Sequence, residues 1–125
     1  MSFYTSLGVT VSPPYSSAFL EFIGADGFEK PDLVYMDGGS VSAVWQDHNH
    51  FDPYSSEQYN WLMDFLKSIG EDNYIYESVS EGCEPEVRGN YCFGFATKTV
   101  YEMYGSPVSL GTKSKNRRRT IAGRR

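Results

Sequence analysis

Residues 55–70 read SSEQYNWLMDFLKSIG and predict the helix around which the remaining elements are arranged. Ser55 is expected to cap this helix, with Gln58 three residues later completing a capping box. Gly70 supplies the left-handed residue that commonly ends a helix, and Trp61 lies off the apolar stripe and is expected to be partly exposed. Apolar side chains recur at steps of three and four residues and therefore share one side of the helix: Tyr59, Leu62, Phe65, Leu66 and Ile69.

Short β-rich runs flank the helix. Residues 32–36 and 41–46 surround Asp37-Gly38-Gly39-Ser40. This tetrapeptide favours a tight hairpin, because a primed turn needs positive φ angles that glycine adopts freely. In residues 91–101 aromatic and threonine side chains alternate with smaller ones, which indicates a strand. Two further strands are predicted at residues 3–11 and 74–79, and the polar residues 80–90 are predicted to form a loop.

The motif around the helix occurs twice. Pro14-Tyr15-Ser16-Ser17 recurs at residues 53–56, and the pattern FLxxIGxD of residues 19–26 recurs at residues 65–72. A first, shorter helix is therefore expected at residues 17–23, and each copy reads strand, helix, strand. The order β-α-β-β-α-β predicts an α+β fold, an antiparallel sheet with one or two helices on one face. The arrangement would be ferredoxin-like, with residues 91–101 as an extra C-terminal strand.

Charge divides the 125-residue chain into two parts. Residues 1–112 contain all 16 acidic residues and only four basic residues, so their net charge is −12. Residues 113–125 carry +7 through Lys113, Lys115, Arg117, Arg118, Arg119, Arg124 and Arg125. We therefore expect an acidic α+β domain at residues 1–105 and a basic, disordered tail at residues 106–125.

Composition excludes several classes of protein. With 40% hydrophobic and 16% aromatic residues, the domain can bury enough apolar surface to fold. No apolar run approaches the ~18 residues that a membrane span needs, and no signal peptide is visible. Cys83 and Cys92 are too few for a disulfide scaffold and are expected to be free thiols. These features predict a cytoplasmic protein of unknown oligomeric state that needs no cofactor and does not bind membranes.

The acidic domain is rich in aromatic residues, with ten tyrosines in the whole chain. Rings can anchor a protein partner while carboxylates steer a basic one, so this composition favours a protein-binding surface over a catalytic site. A nucleic-acid mimic, whose carboxylates take the places of phosphates, would have the same composition. The predicted contact residues are Asp47, Asp52, Tyr54, Glu57, Trp61, Asp64, Glu71, Asp72, Tyr74 and Tyr76.

In size and charge the chain resembles the small acidic proteins that phages encode to block host defence or host enzymes, such as anti-CRISPR and DNA-mimic inhibitors. That resemblance implies a non-catalytic inhibitor that occludes a basic, nucleic-acid-handling host protein or nucleoprotein complex. Two alternatives remain open. The seven cationic residues of the tail could bind nucleic acid, or His48, His50 and Asp52 at two-residue spacing could hold a metal ion in a small enzyme.

Overall fold

The computed structural model describes residues 4–49, 51, 56–80, 85–91 and 95–104. Within them, single turns of 3-10 helix at Pro13–Tyr15 and Glu71–Asn73 lead into the first helix and the fourth strand. The main elements in chain order are β1 Thr5–Val11, α1 Ser16–Ile23, β2 Leu33–Asp37, β3 Ser40–His48, α2 Glu57–Ile69, β4 Tyr74–Ser80, β5 Glu86–Gly89 and α3 Phe95–Tyr104.

The strands form one five-stranded sheet in the order β2-β3-β1-β4-β5. Every neighbouring pair is antiparallel. The α+β fold with an antiparallel sheet is therefore confirmed, while the ferredoxin-like arrangement stays a prediction. The hairpin is also confirmed: Gly38 and Gly39 have φ angles of 61° and 90°, and they join Asp37 to Ser40 in register.

Helices α1 and α2 cover one face of the sheet. Alternate residues of β1, namely Leu7, Val9 and Val11, point into this layer and are fully buried. Between the helices the rings of Phe22 and Phe65 stack with their centroids 4.8 Å apart. The remaining buried members of this core include Phe19, Ile23, Val41, Ala43, Trp45, Leu62, Leu66 and Tyr76. The predicted layer of one or two helices on one face is thus present.

Helix α2 differs from the prediction at its start. Its N-cap is Ser56, whose hydroxyl accepts a hydrogen bond from the amide of Tyr59, and Ser55 lies outside the described residues. The Gln58 side chain does not close a capping box. Its amide oxygen instead accepts from the amide of Glu29 at 2.7 Å, and its nitrogen donates to the carbonyl of Gly27. The Gln58 side chain, which the local sequence predicted to cap the helix, therefore makes tertiary hydrogen bonds instead.

The second face of the sheet is covered by α3, where an extra strand was predicted. Ala96, Thr97 and Val100 are buried there, at the spacing of a helix rather than of a strand. Gly8 makes this packing possible, because a Cβ at residue 8 would lie 2.5 Å from the carbonyl oxygen of Ala96. The strand predicted at residues 91–101 is therefore wrong over the described residues 95–101.

The extra strand lies earlier in the chain, at Glu86–Gly89, within the segment predicted to be a loop. It has no apolar alternation and is formed by pairing with β4, from Ile75 opposite Gly89 to Ser78 opposite Glu86. Polar edge strands of this kind give little sequence signal, because only one neighbour and few core contacts define them.

Candidate functional site

The outer side of α2 is the best candidate contact surface among the predicted residues. Glu57, Trp61 and Asp64 follow one another at steps of four and three residues, so that they share one side of the helix. All three are exposed. Trp61 leaves 40% of its surface accessible, as expected from its place off the apolar stripe. We name Glu57, Trp61 and Asp64 the α2 outer face.

Two more carboxylates stand just beyond the helix. Glu71 and Asp72 are exposed in the 3-10 turn between α2 and β4. The amide of Asn90 donates to the backbone carbonyl of Glu71 at 2.7 Å, and the Asn90 side chain donates to Asp72 at 3.3 Å. These hydrogen bonds hold the 3-10 turn against Asn90, the residue that follows β5. The backbone that carries the Glu71 and Asp72 carboxylates is therefore fixed.

Two of the predicted contact residues belong to the core instead. Tyr74 is 4% and Tyr76 is 1% exposed, because both lie on the face of β4 that packs beneath α1 and α2. Burial raises the pKa of both phenols, and for Tyr74 the neighbouring Glu71 adds to the shift. Alternation along a strand placed these rings inside, and composition alone could not reveal which face would be buried.

The remaining predicted contact residues are dispersed or lie outside the described part. Asp47 is exposed at the end of β3, where its backbone has a φ of 53° and its amide donates to the hydroxyl of Ser6. Asp52, Tyr54 and the seven basic residues from Lys113 to Arg125 lie outside the described residues. Exposed carboxylates also occur away from α2, among them Glu21, Asp37 and Glu102. Negative charge is therefore spread around the domain.

A cluster that the sequence did not indicate surrounds His48. Its Nδ1 lies 2.7 Å from a carboxylate oxygen of Glu29, and its Nε2 lies 2.8 Å from Asp32. A ring nitrogen that carries a proton can donate it to the carboxylate that it faces. Asp32 also accepts from the amide of Gln46 at 2.7 Å. The cluster ties the segment between α1 and β2 to the end of β3.

The environment of Asp32 favours its charged form. Burial opposes ionisation, but the hydrogen bond from the Gln46 amide and the contact with His48 outweigh that effect and lower the pKa of the carboxyl. Glu29 is held in place by its backbone as well, because its carbonyl accepts from the indole Nε1 of the buried Trp45 at 2.9 Å. The His48 cluster thus has a structural role, because it is linked to the hydrophobic core through Trp45.

The His48 cluster bears on the proposed metal site. Both ring nitrogens of His48 lie within hydrogen-bond distance of carboxylates, so this arrangement engages both of them within the protein. His50 and Asp52 lie outside the described residues. Within the described part of the chain, no group of three or more His, Cys, Asp or Glu side chains is arranged to hold a metal ion.

Comparison with known proteins adds no relative. No family model matches the chain, and no curated protein or solved structure is significantly similar to it. Among the helices that the structure describes, none combines the length and apolar character needed to cross a membrane.

Proposed function

We propose that this protein is a non-catalytic binding domain that docks on a basic, nucleic-acid-handling protein through the α2 outer face. The observation that supports the proposal is the exposure of Trp61 between Glu57 and Asp64 on one side of a well-anchored helix. A large ring with one carboxylate on either side along the helix suits a basic surface, since the ring buries apolar area while the charges steer the encounter.

The helix behind this surface is rigidly supported. Leu62 and Leu66, on the opposite side of α2, are fully buried, and Gln58 ties the first turn to the segment after α1. A contact residue on a fixed helix loses little conformational freedom on binding, which favours affinity. Glu71 and Asp72 add two exposed carboxylates in the turn that follows the helix.

The finer proposal is an inhibitor that acts by occlusion. A domain that carries −12 over residues 1–112 is attracted to surfaces that otherwise bind phosphates. Once docked, it would exclude nucleic acid from such a surface without any chemical step. This action matches that of anti-CRISPR and DNA-mimic inhibitors, which the chain resembles in size and charge.

The test is capture of partners from a nuclease-treated cell lysate by the immobilised full-length protein, with mass spectrometry of what is retained. We expect a basic partner that is retained at low salt and released as the salt concentration rises, because screening weakens exposed charge pairs. Trp61→Ala and the double variant Glu57→Gln/Asp64→Asn should lose that partner. Asp37→Asn, which removes one charge at the hairpin away from α2, should keep it.

Two results would contradict the proposal. One is a partner that the α2 variants retain as well as the parent protein does. The other is the absence of any salt-sensitive partner that is basic. Folding of each variant is checked by circular dichroism, because the substituted side chains are exposed and their loss should leave the core intact.

A further inference from the structure

Strand β2 forms one edge of the sheet and carries an unusual set of exposed side chains. Leu33, Val34, Tyr35 and Met36 expose between 43% and 58% of their surface. Among the described residues β2 pairs only with β3, so its other side has no neighbouring strand. Proteins commonly protect such edges with lysine, proline or a bulge, and Leu33–Asp37 contains no lysine, no proline and no break in its register with β3.

The hairpin register shows which backbone groups face outward. Asp37 and Ser40 flank the two-residue turn and form the first pair of the ladder. In an antiparallel ladder hydrogen-bonded and non-hydrogen-bonded pairs alternate, so Asp37 and Tyr35 direct their amide groups toward β3. Val34 and Met36 therefore direct their N–H and C=O groups away from the sheet. A partner strand could bind through these groups without disturbing the domain.

We propose that β2 pairs antiparallel with β2 of a second copy, with Tyr35 of both copies at the two-fold axis. In this register Val34 of one copy lies opposite Met36 of the other, and the outward backbone groups of both pairs are satisfied by about four hydrogen bonds. The two sheets join into one continuous sheet, and α1 and α2 of both copies remain on the same face. This proposal is independent of docking through α2.

Charge and side-chain pattern favour a second copy in this register. Asp37, the only charged residue of β2, lies opposite Leu33 of the other copy, so no carboxylates of the two strands face each other. A shift of the register by two residues would place either Val34 or Met36 at the two-fold axis, opposite its own copy. The other of these two residues would then lie opposite a residue outside β2, so that fewer regular hydrogen bonds could form. The opposite charges of the acidic domain and of residues 113–125 lower the net charge of each copy to −5, which weakens repulsion between copies.

Tyr35 is already oriented for this contact. Its ring stacks on Phe95 of α3, with the centroids 4.4 Å apart and the planes inclined by 25°. A side chain that is ordered before binding loses less rotational freedom when a partner arrives. The two Tyr35 rings would meet on the face of the sheet that α3 covers, where aromatic pairs across strands add to sheet stability.

The first measurement is sedimentation velocity of the full chain over a range of concentrations, at low and at high salt. We expect a monomer–dimer equilibrium that high salt leaves unchanged or strengthens, because screening reduces repulsion between two acidic domains. Docking through α2 should instead weaken with salt, so the two proposals can fail separately. A chain that stays monomeric at several hundred micromolar would overturn the β2 proposal.

Two variants test the strand itself. Val34→Pro removes an outward N–H, which an edge strand tolerates, and Met36→Lys adds an edge charge. Each should weaken the dimer at least about tenfold. Leu20→Lys, at an exposed apolar position of α1, is the matched control and should leave the dimer unchanged. A dimer that survives Val34→Pro while circular dichroism shows the parent fold would place the interface elsewhere and contradict the proposal.

Crosslinking tests the register. Residues in a non-hydrogen-bonded pair have Cα atoms about 4.5 Å apart, within the range that a disulfide spans. With Cys83 and Cys92 replaced by serine, Tyr35→Cys should form a disulfide-linked dimer under mild oxidation. Asp37→Cys in the same background should not, since the two copies of residue 37 lie at opposite ends of the ladder. Efficient crosslinking of Asp37→Cys but not of Tyr35→Cys would overturn the register.

Discussion

At the scale of single residues, Gly8 decides what can pack on the second face of the sheet. The residue is buried, and a Cβ there would lie 2.5 Å from the carbonyl oxygen and 3.0 Å from the Cβ of Ala96. The two nearest atoms, the carbonyl oxygen and carbon of Ala96, belong to the backbone of α3, which cannot move aside as a flexible side chain can. The close approach of helix and strand therefore depends on the missing side chain.

We predict that Gly8→Ala lowers the free energy of unfolding by about 1–3 kcal/mol, because α3 must shift away from β1. Urea unfolding monitored by circular dichroism measures the loss. Gly24→Ala is a suitable control, since a Cβ there meets only backbone oxygens of α1, those of Leu20 at 3.2 Å and Glu21 at 3.9 Å. Equal stability of Gly8→Ala and the parent protein would show that α3 does not pack closely on β1.

Asp32 gives a pH-dependent prediction. Its pKa is lower in the folded protein than in the unfolded chain, where 3.8 is the ordinary value. A depressed pKa stabilises the fold at pH values above the unfolded value, and this stabilisation disappears as the pH falls through the folded one. Since the carboxylate is partly exposed, we expect Asp32→Asn to cost no more than about 1 kcal/mol at neutral pH.

The measurement is urea unfolding of Asp32→Asn and of the parent protein at pH 7, 5 and 3. The difference between them should be largest at neutral pH and should shrink below about pH 4 as the parent carboxyl protonates. Asp37→Asn removes an exposed carboxylate outside the cluster and serves as the control. A difference between Asp32→Asn and the parent that grows toward pH 3 would contradict the assigned direction.

At the scale of elements, local sequence signals predicted the apolar side and the C-terminal end of α2, whereas its first residues differ from the prediction. Its apolar periodicity is confirmed in the burial of Tyr59, Leu62, Leu66 and Ile69. Gly70 ends it, as the sequence predicted, and has the positive φ that favours glycine, but with φ 92° and ψ 149° it is not in the left-handed helical conformation that was expected. The start moved by one residue to Ser56, because a hydroxyl in either position could cap the helix and neighbouring structure selects between them.

We predict that Ser56→Ala destabilises the protein by about 1 kcal/mol, because the amide of Tyr59 loses its partner at the N-terminus of α2. Thermal unfolding in a calorimeter or by circular dichroism measures the change. Ser17→Ala, at an exposed position inside α1, controls for the effect of alanine on a helix and should be neutral or slightly stabilising. A neutral Ser56→Ala would rule out the assigned cap.

At the scale of the whole molecule, charge is separated along the chain. Residues 1–112 carry −12 and residues 113–125 carry +7, so the two parts should prefer opposite partners. The described acidic residues occur on helices, strands and connections around the domain. We therefore expect residues 1–112 to repel phosphate backbones, and we expect any binding to nucleic acid to come from the basic residues near the C-terminus.

We predict that removing residues 113–125 abolishes retention of duplex DNA or RNA in a gel-shift assay at low salt, while capture of a basic protein partner is kept. The remaining chain has too few cations to offset its 16 carboxylates. The full-length chain at the same salt concentration is the reference. An unchanged gel shift after truncation would exclude the tail as the binding element and would contradict the proposed division of roles.

The sequence by itself determined the locally encoded parts of this fold. Apolar periodicity located α2, and the recurrence of the motif around it located α1. The adjacent glycines at residues 38 and 39 located the hairpin, because helix stripes and turn conformations depend on neighbouring residues. The exposure of Trp61 followed from the same periodicity. These local signals were sufficient for the α+β class and for the central part of the candidate contact surface.

Only the tertiary structure decided the rest. The helix at residues 95–104 can pack closely on β1 because Gly8, far away in sequence, has no side chain, and β5 is defined by its pairing with β4. Tyr74 and Tyr76 became core residues once α1 and α2 covered their face of the sheet. In the His48 cluster, His48 contacts Glu29 and Asp32, which precede it by 19 and 16 positions in the chain. Contacts between distant residues depend on packing and pairing, which no short stretch of sequence contains.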